Sequence, residues 1–398
     1  MSSEDPAVTK FREYLLIKTE QPNPDYDDCM KFLAALADEL SIEHHIIEPE
    51  KGFPFMVMTI PGEEPNLPAL MLHSHTDVVP VSKEHWKHDP FEAEKENGKI
   101  YGRGTQDMKC NGIQYFEAMR RLYKNGKKDF KRTIHIVWGP DEELGSHNGM
   151  EKLVEHPDFK KLNVGFVLDE GMASENDTYK VFYAERCKWW FRVTFLGPPG
   201  HGSRFIANSA AEKMQRFISK AYQFRAKQQE ILKKDPKKTL GDVTSLNLTV
   251  CRGGVETNVV PEKFECEFDM RVTPSTNFYE LQAEIDSWIK FAGEGTNIDW
   301  ILHKTFQNIT PTTKDDPFSR VIEETLGNEN CQFTKEIFPC GTDCGLIRAT
   351  GVRVIGFSPI INTTVLLHCH DEYLDESVFL RGIDIYEKLI PALANVKE

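Results

Sequence analysis

The stretch Leu72-His73-Ser74-His75-Thr76-Asp77-Val78-Val79-Pro80 sets a histidine and a carboxylate two residues apart at the end of an apolar run. In an extended strand, residues i and i+2 share a face, so His75 and Asp77 can work as a pair. A metal-binding imidazole needs an acceptor on its second ring nitrogen, and Asp77 is placed to be that acceptor. One such pair also arises without a metal, so its meaning depends on further ligands. Asp107 lies in Gly102-Arg103-Gly104-Thr105-Gln106-Asp107-Met108-Lys109, a glycine-punctuated loop before a helix, where a carboxylate also serves as a cap. Asp141, Glu142 and Glu143 follow an apolar run and Pro140. Such a cluster is costly unless cations neutralise it, because like carboxylates repel and raise one another's pKa. Asp169-Glu170 closes the next run, and Leu366-Leu367-His368-Cys369-His370-Asp371-Glu372 brings histidines and acids after another. This mixed nitrogen and oxygen set suits zinc, with manganese and cobalt as alternatives, and requires no cysteine. Five ligands around two ions need one shared carboxylate, and two ions roughly 3.5 to 4 Å apart form an established hydrolytic device. The competing reading is a set of separate caps and surface acids.

Such residues need strands to carry them. Short apolar runs at 55–60, 69–72, 133–138 and 164–168 alternate with amphipathic segments, which predicts an α/β layered domain with a largely buried sheet. Ile113, Phe116, Met119 and Leu122 recur at helical spacing and predict a helix over 111–124 with one face in the core. Sites collect at the carboxyl ends of strands in such sheets, and HSHTD, GPDEE and LDEG stand at those ends. After Arg186 the texture changes to long β-branched and aromatic runs at 189–195, 243–250 and 264–272, interleaved with helices near 208–232 and 277–291. That mixture predicts a separate α+β module. A helix-strand-helix pattern returns near 316–396. With boundaries at about 186 and 306, residues 186–306 form an insertion, while 1–185 and 307–398 complete one domain.

With 398 residues, 40% hydrophobic and 28% charged, the chain can build two domains with real cores. Its net charge of -14 disfavours nucleic acid and anionic membranes as partners. The start, Met1-Ser2-Ser3-Glu4-Asp5-Pro6, shows no apolar signal region, and no apolar run is long enough to cross a bilayer, so a cytoplasmic location is expected. Nine cysteines without a CxxC pair read as free thiols. The lysine-rich stretch from Lys227 to Lys238 reads as a solvated helix end or loop.

In order along the chain, SHTDVVP, GRGTQDMK, PDEELG, LDEG, GPPGHGSR, GGVETNVVP, FDMRV and LLHCHDE resemble the di-zinc aminoacylase and carboxypeptidase family over nearly the whole length. The resemblance implies a di-zinc exopeptidase-like three-layer catalytic domain with an inserted α+β lid and dimerisation domain. It implies that His75, Asp107 and Glu170 hold one zinc and that Asp107, Glu143 and His368 hold the other. His368 is preferred over His370 because the family's last ligand precedes a glutamate by four positions, here Glu372. His73 has no ligand role in that pattern. The peptide after Asp107 is expected to be cis, Glu142 to act as general base, and Asp77 to orient His75. His201, by itself readable as a turn residue among glycines, matches a histidine that reaches a partner subunit's site and stabilises the oxyanion.

Asn258 and Arg271 match binders of a substrate carboxylate, for which a guanidinium fork is suited. A simple Arg271–Asp269 pair is the alternative. Gly341, Thr342 and Asp343 fall where relatives line the pocket, although Cys340 and Cys344 around them match no family pattern. The implied activity is hydrolysis of N-acyl-L-amino acids by a homodimer joined through the inserted domain. A dipeptidase of the same family and a catalytically inactive binding protein are the other readings.

Overall fold

The computed structural model describes residues 4–306 and 308–397. They fall into two compact units. The first takes the chain up to Tyr183, Ile309–Glu336 and everything from Thr342, and the second takes Ala184–Asn308 with Ile337–Gly341. The return of Ile337–Gly341 to the second unit differs from the sequence reading, which groups it with the C-terminal segment. Its cause is local. The Arg186 backbone N–H donates to Phe338 O at 3.2 Å, and the Arg186 guanidinium donates to Pro339 O from Nε at 2.8 Å and Nη2 at 2.6 Å.

An eight-stranded sheet organises the first unit. From one edge its strands are Glu43–Glu50, Phe53–Ile60, Ile134–Gly139, Ala69–His75, Val164–Asp169, Arg353–Gly356, Thr178–Glu185 and Gln332–Phe338. Ala69–His75 runs parallel to Ile134–Gly139 and Val164–Asp169, and the latter runs parallel to Arg353–Gly356. Alternation sorts the side chains of these strands onto two buried faces. Met58, Leu70, Leu72 and Ile136 face the helices Pro6–Leu15, Lys109–Lys124, Pro317–Asn328 and Glu376–Ala394, where Phe11, Phe116, Phe318 and Tyr386 complete a core. Val57, Met71, Val137 and Val167 face the other way, toward Leu153 and Ile347 on the helices Met150–Glu155 and Asp343–Ala349. The result is a three-layer helix–sheet–helix sandwich. In register, His75 pairs with Gly139 and Gly356 with Asp169, so the parallel strands end together.

The second unit is a four-stranded antiparallel sheet in the order Ser245–Gly253, Lys263–Val272, Cys187–Leu196 and Thr296–His303. Its apolar face packs on the helices Ala210–Lys234 and Phe278–Ala292 through Phe191, Phe195, Phe217, Phe268 and Trp288. All nine cysteines are free thiols. Among the described residues, no helix is long and apolar enough to cross a membrane.

Candidate active site

The strand Ala69–His75 ends on its histidine, which is almost fully buried. His75 Nε2 lies 3.0 Å from Asp107 Oδ1 and 3.8 Å from Glu170 Oε2. Asp107 is delivered by the loop that leads into helix Lys109–Lys124, and its peptide bond to Met108 is cis. Glu170 follows the strand Val164–Asp169 directly. On the other side of Asp107, His368 Nε2 stands 3.4 Å from Asp107 Oδ2 and 3.1 Å from Glu143 Oε2. Glu142 and Glu143 belong to a one-turn 3-10 helix entered through Asp141 at φ 69°, a left-handed conformation that aspartate tolerates. His75, Asp107 and Glu170 thus form one cluster, and Asp107, Glu143 and His368 a second, with each cluster's donor atoms within 4.8 Å of one another. Asp107 belongs to both. His370, the alternative to His368, turns instead toward His85, with ring centroids 5.3 Å apart, and toward Trp86.

The electrostatics of this cluster are those of too many carboxylates in too little water. Burial and the Asp107 charge push the Glu143 carboxyl up to about 7. Burial and the charges of Glu142 and Asp107 push Glu170 well above the usual range. Burial would also raise Asp107, but hydrogen bonds from His368 and His75 hold it well below its ordinary value. Burial would lower His75, yet its bonds to Asp107 and Asp77 raise it well above an ordinary imidazole. Hydrogen bonds to Asp107 and Glu143 carry His368 up to about 10. Positive charge is what this cluster calls for.

Asp77 is fully buried, but it meets His75 differently from the strand-face expectation. The strand stops at His75, so Asp77 lies beyond the regular alternation. His75 Nδ1 is 2.9 Å from the main-chain oxygen of Asp77 and 3.6 Å from its carboxylate. The carboxylate accepts the backbone N–H of Glu142 at 3.1 Å, that of Glu143 at 3.2 Å and the Gln21 amide at 2.8 Å. It therefore fixes the acidic turn while its carbonyl fixes the imidazole.

Sequence reasoning overlooked two supports. Glu372 is buried beneath the Asp107 loop, paired with Arg103 at 2.6 Å and accepting the backbone N–H of Gln106 at 2.6 Å. His73, Asp169 and Asp343 form a second buried group. The partners lie 96 residues apart for His73 and Asp169 and 269 for Arg103 and Glu372, and spacing carries no trace of such contacts.

Thr342 caps the helix Asp343–Ala349, its hydroxyl accepting Cys344 N–H at 3.1 Å. The other expected residues lie on the second unit. His201 and Asn258 are brought together there, because Gly200–His201 pairs with Val259–Val260 and Gly202 N–H donates to Asn258 O at 2.7 Å. His201 is exposed, with Nδ1 2.8 Å from the Ser203 hydroxyl. Arg271 donates from Nε and Nη2 to the two oxygens of Asp269 at 2.6 and 2.9 Å. The ion pair raised as an alternative is present, so any grip on a substrate carboxylate falls to the other N–H groups of Arg271.

Comparison with known proteins bears on the whole arrangement. The sequence model of peptidase family M20/M25/M40 matches residues 71–392. Aminoacylase-1 of Mus musculus is 48% identical over 395 residues, covering 99% of this chain and 97% of the mouse protein. An M20 family metallo-carboxypeptidase of Sulfolobus solfataricus superposes with a TM-score of 0.76 at 17% identity, over 98% of this chain and all of that one. A dinuclear metal-binding peptidase of the M20 family from Bacillus subtilis superposes with a TM-score of 0.67 at 16% identity, over 97% of this chain and 96% of its own. A family match over most of the chain, together with near-half identity to aminoacylase-1 from end to end, makes this chain a hydrolase belonging to peptidase family M20/M25/M40.

Proposed function

We propose that the protein is a zinc-dependent aminoacylase, cleaving N-acyl-L-amino acids to a carboxylate and a free L-amino acid. The observation that carries the reading is the pair of ligand clusters sharing Asp107, in a chain so similar to aminoacylase-1. The donor set fits two divalent cations. Two imidazoles and three carboxylates converge, and the buried Glu143 Oε1 has no hydrogen-bond partner among the described residues. The Nδ1–H of His75, donated to the Asp77 carbonyl, keeps the Nε2 lone pair for a cation. His75, Asp107 and Glu170 would hold one zinc, and Asp107, Glu143 and His368 the other. Bound there, two zinc ions would supply Lewis acidity and bring the pKa of a bound water toward about 7.

Glu142 is the general base in this reading. Its carboxylate takes a proton from the attacking water and returns it to the nitrogen of the leaving amine as the C–N bond breaks. Asp77 holds that glutamate's backbone and the His75 ring together. His201 donates to the oxyanion, Arg271 and Asn258 receive the α-carboxylate, and Thr342 lines the acyl side. A homodimer in the cytoplasm completes the proposal.

The test is a substrate panel on zinc-loaded protein. N-acetyl-L-methionine should be hydrolysed well ahead of unblocked dipeptides, and the reverse order would make the enzyme a dipeptidase. Glu142→Ala should lose about 10²- to 10⁴-fold in kcat while keeping its metal, and near-normal turnover would remove Glu142 from the base role. Wild-type protein that neither binds zinc nor hydrolyses either substrate would be a binding protein instead.

A further inference from the structure

Beneath the proposed metal site lie three polar groups that the reaction as described does not use. His73, Asp169 and Asp343 are 0%, 1% and 1% exposed. His73 Nδ1 is 3.0 Å from Asp169 Oδ1, and its Nε2 faces Asp343 Oδ2 at 3.6 Å. Neither His73 Nε2 nor Asp343 Oδ2 has a hydrogen-bond partner among the described residues. The backbone makes room for this ring: a Cβ on Gly139 would stand 2.9 Å from His73 Nε2 and 2.6 Å from the Phe55 ring.

The outer bonds of the group lead to the ligands. Asp169 Oδ1 also accepts the backbone N–H of Glu170 at 2.8 Å, while Cys344 Sγ lies 3.3 Å from Asp169 Oδ2. Asp343 Oδ1 accepts the Ser146 hydroxyl, and Ser146 N–H donates to Asp141 O at 2.8 Å, closing the turn that carries Glu142 and Glu143. His73 itself stands two residues before His75 on the same strand. One imidazole therefore connects three ligand-bearing segments that are remote in sequence. Buried carboxylates persist where donors or positive charge meet them, and His73 hydrogen-bonds Asp169 while its other ring nitrogen faces Asp343 at ion-pair distance.

We propose that His73, lodged between Asp169 and Asp343, is a positioning residue that holds Glu170 and the Glu142–Glu143 turn in register with His75. The inference rests on the two-metal reading above. Its test measures stepwise zinc affinities by chelator competition, with unfolding followed separately in chelator. Wild-type protein should bind two ions. His73→Leu keeps the ring's bulk without its hydrogen bonds, and it should weaken zinc by about 10- to 100-fold. His73→Asn, whose amide N–H can reach Asp169, should recover most of that loss. Recovery by Asn separates positioning from mere filling of space, which Leu supplies better.

A folded His73→Leu protein that binds both ions as tightly as wild type overturns the proposal and leaves the two-metal reading standing. Wild type binding fewer than two ions overturns that reading and the proposal with it. If His73→Leu does not fold, Ser146→Ala decides. It cuts the link between Asp343 and the acidic turn while keeping the buried histidine, and unchanged affinity for both ions would refute the role.

Discussion

Five donors converge on the buried carboxylate of Glu372: Arg103 Nη1, the backbone N–H groups of Gly104, Gln106 and Asp107, and the Thr105 hydroxyl. Arg103 also reaches Cys369 O at 3.1 Å, so the loop carrying Asp107 and the loop carrying His368 are bound to one ion pair. A charged pair of this kind contributes little net stability, but breaking it leaves the survivor buried and uncompensated, at a cost of about 3 to 5 kcal/mol. Glu372→Gln should therefore lower the unfolding free energy by about that amount in urea titrations with chelator present, and zinc affinity should fall with it. A variant as stable as wild type would show that Arg103 finds another partner. The same residue marks the limit of sequence reasoning at this scale. Histidines and carboxylates after apolar runs marked candidate ligands, but the choice of His75, Asp107, Glu143, Glu170 and His368 among them came from the family resemblance, and those five side chains do converge in the fold. Glu372 served only as a spacing mark, because its partners lie more than 260 residues away.

Elements set how far apart the two halves of Asp107's surroundings stand. Helix Lys109–Lys124 begins just after Asp107 and meets the strand ends through Gly112, where a Cβ would collide with Trp138 Nε1 and stand 2.9 Å from Ser74 Oγ. Trp138 is fully buried and cannot swing aside. Alanine is favoured over glycine in a helix by about 1 kcal/mol, whereas overpacking a buried contact costs about 1 to 3 kcal/mol. The second effect wins. Gly112→Ala should be destabilised in urea unfolding and should bind zinc more weakly, since the added methyl pushes the helix from the strand that carries His75. Greater stability with unchanged zinc affinity would show that the interface has slack.

Periodicity exposed this helix to within two residues, because its apolar face repeats at 3.6. It could not reveal Gly112 as a contact, since a missing side chain leaves no pattern. Nor could it show that the strand stops at His75, which decides that the imidazole meets the Asp77 carbonyl rather than its carboxylate.

At the scale of the whole molecule, the second unit raises the question of partnership. His201 is exposed there, Phe205 four residues on is fully exposed, and Val255, three residues before Asn258, is 79% exposed. Large apolar side chains standing in water beside a candidate functional histidine suit a surface that another chain covers. If the covering chain is a second copy, each site takes Glu142 from one subunit and His201 from its partner. Two inactive variants, His201→Ala and Glu142→Ala, then complement each other. Random pairing makes half of the dimers mixed, and one of the two sites in each mixed dimer keeps both residues. About a quarter of wild-type activity should therefore return when the subunits are unfolded together and refolded as an equal mixture, although neither parent is active alone. Native mass spectrometry on differently tagged subunits establishes how many mixed dimers form. Mixed dimers without any returning activity would place His201 and Glu142 in the same subunit's site, or His201 outside the chemistry altogether.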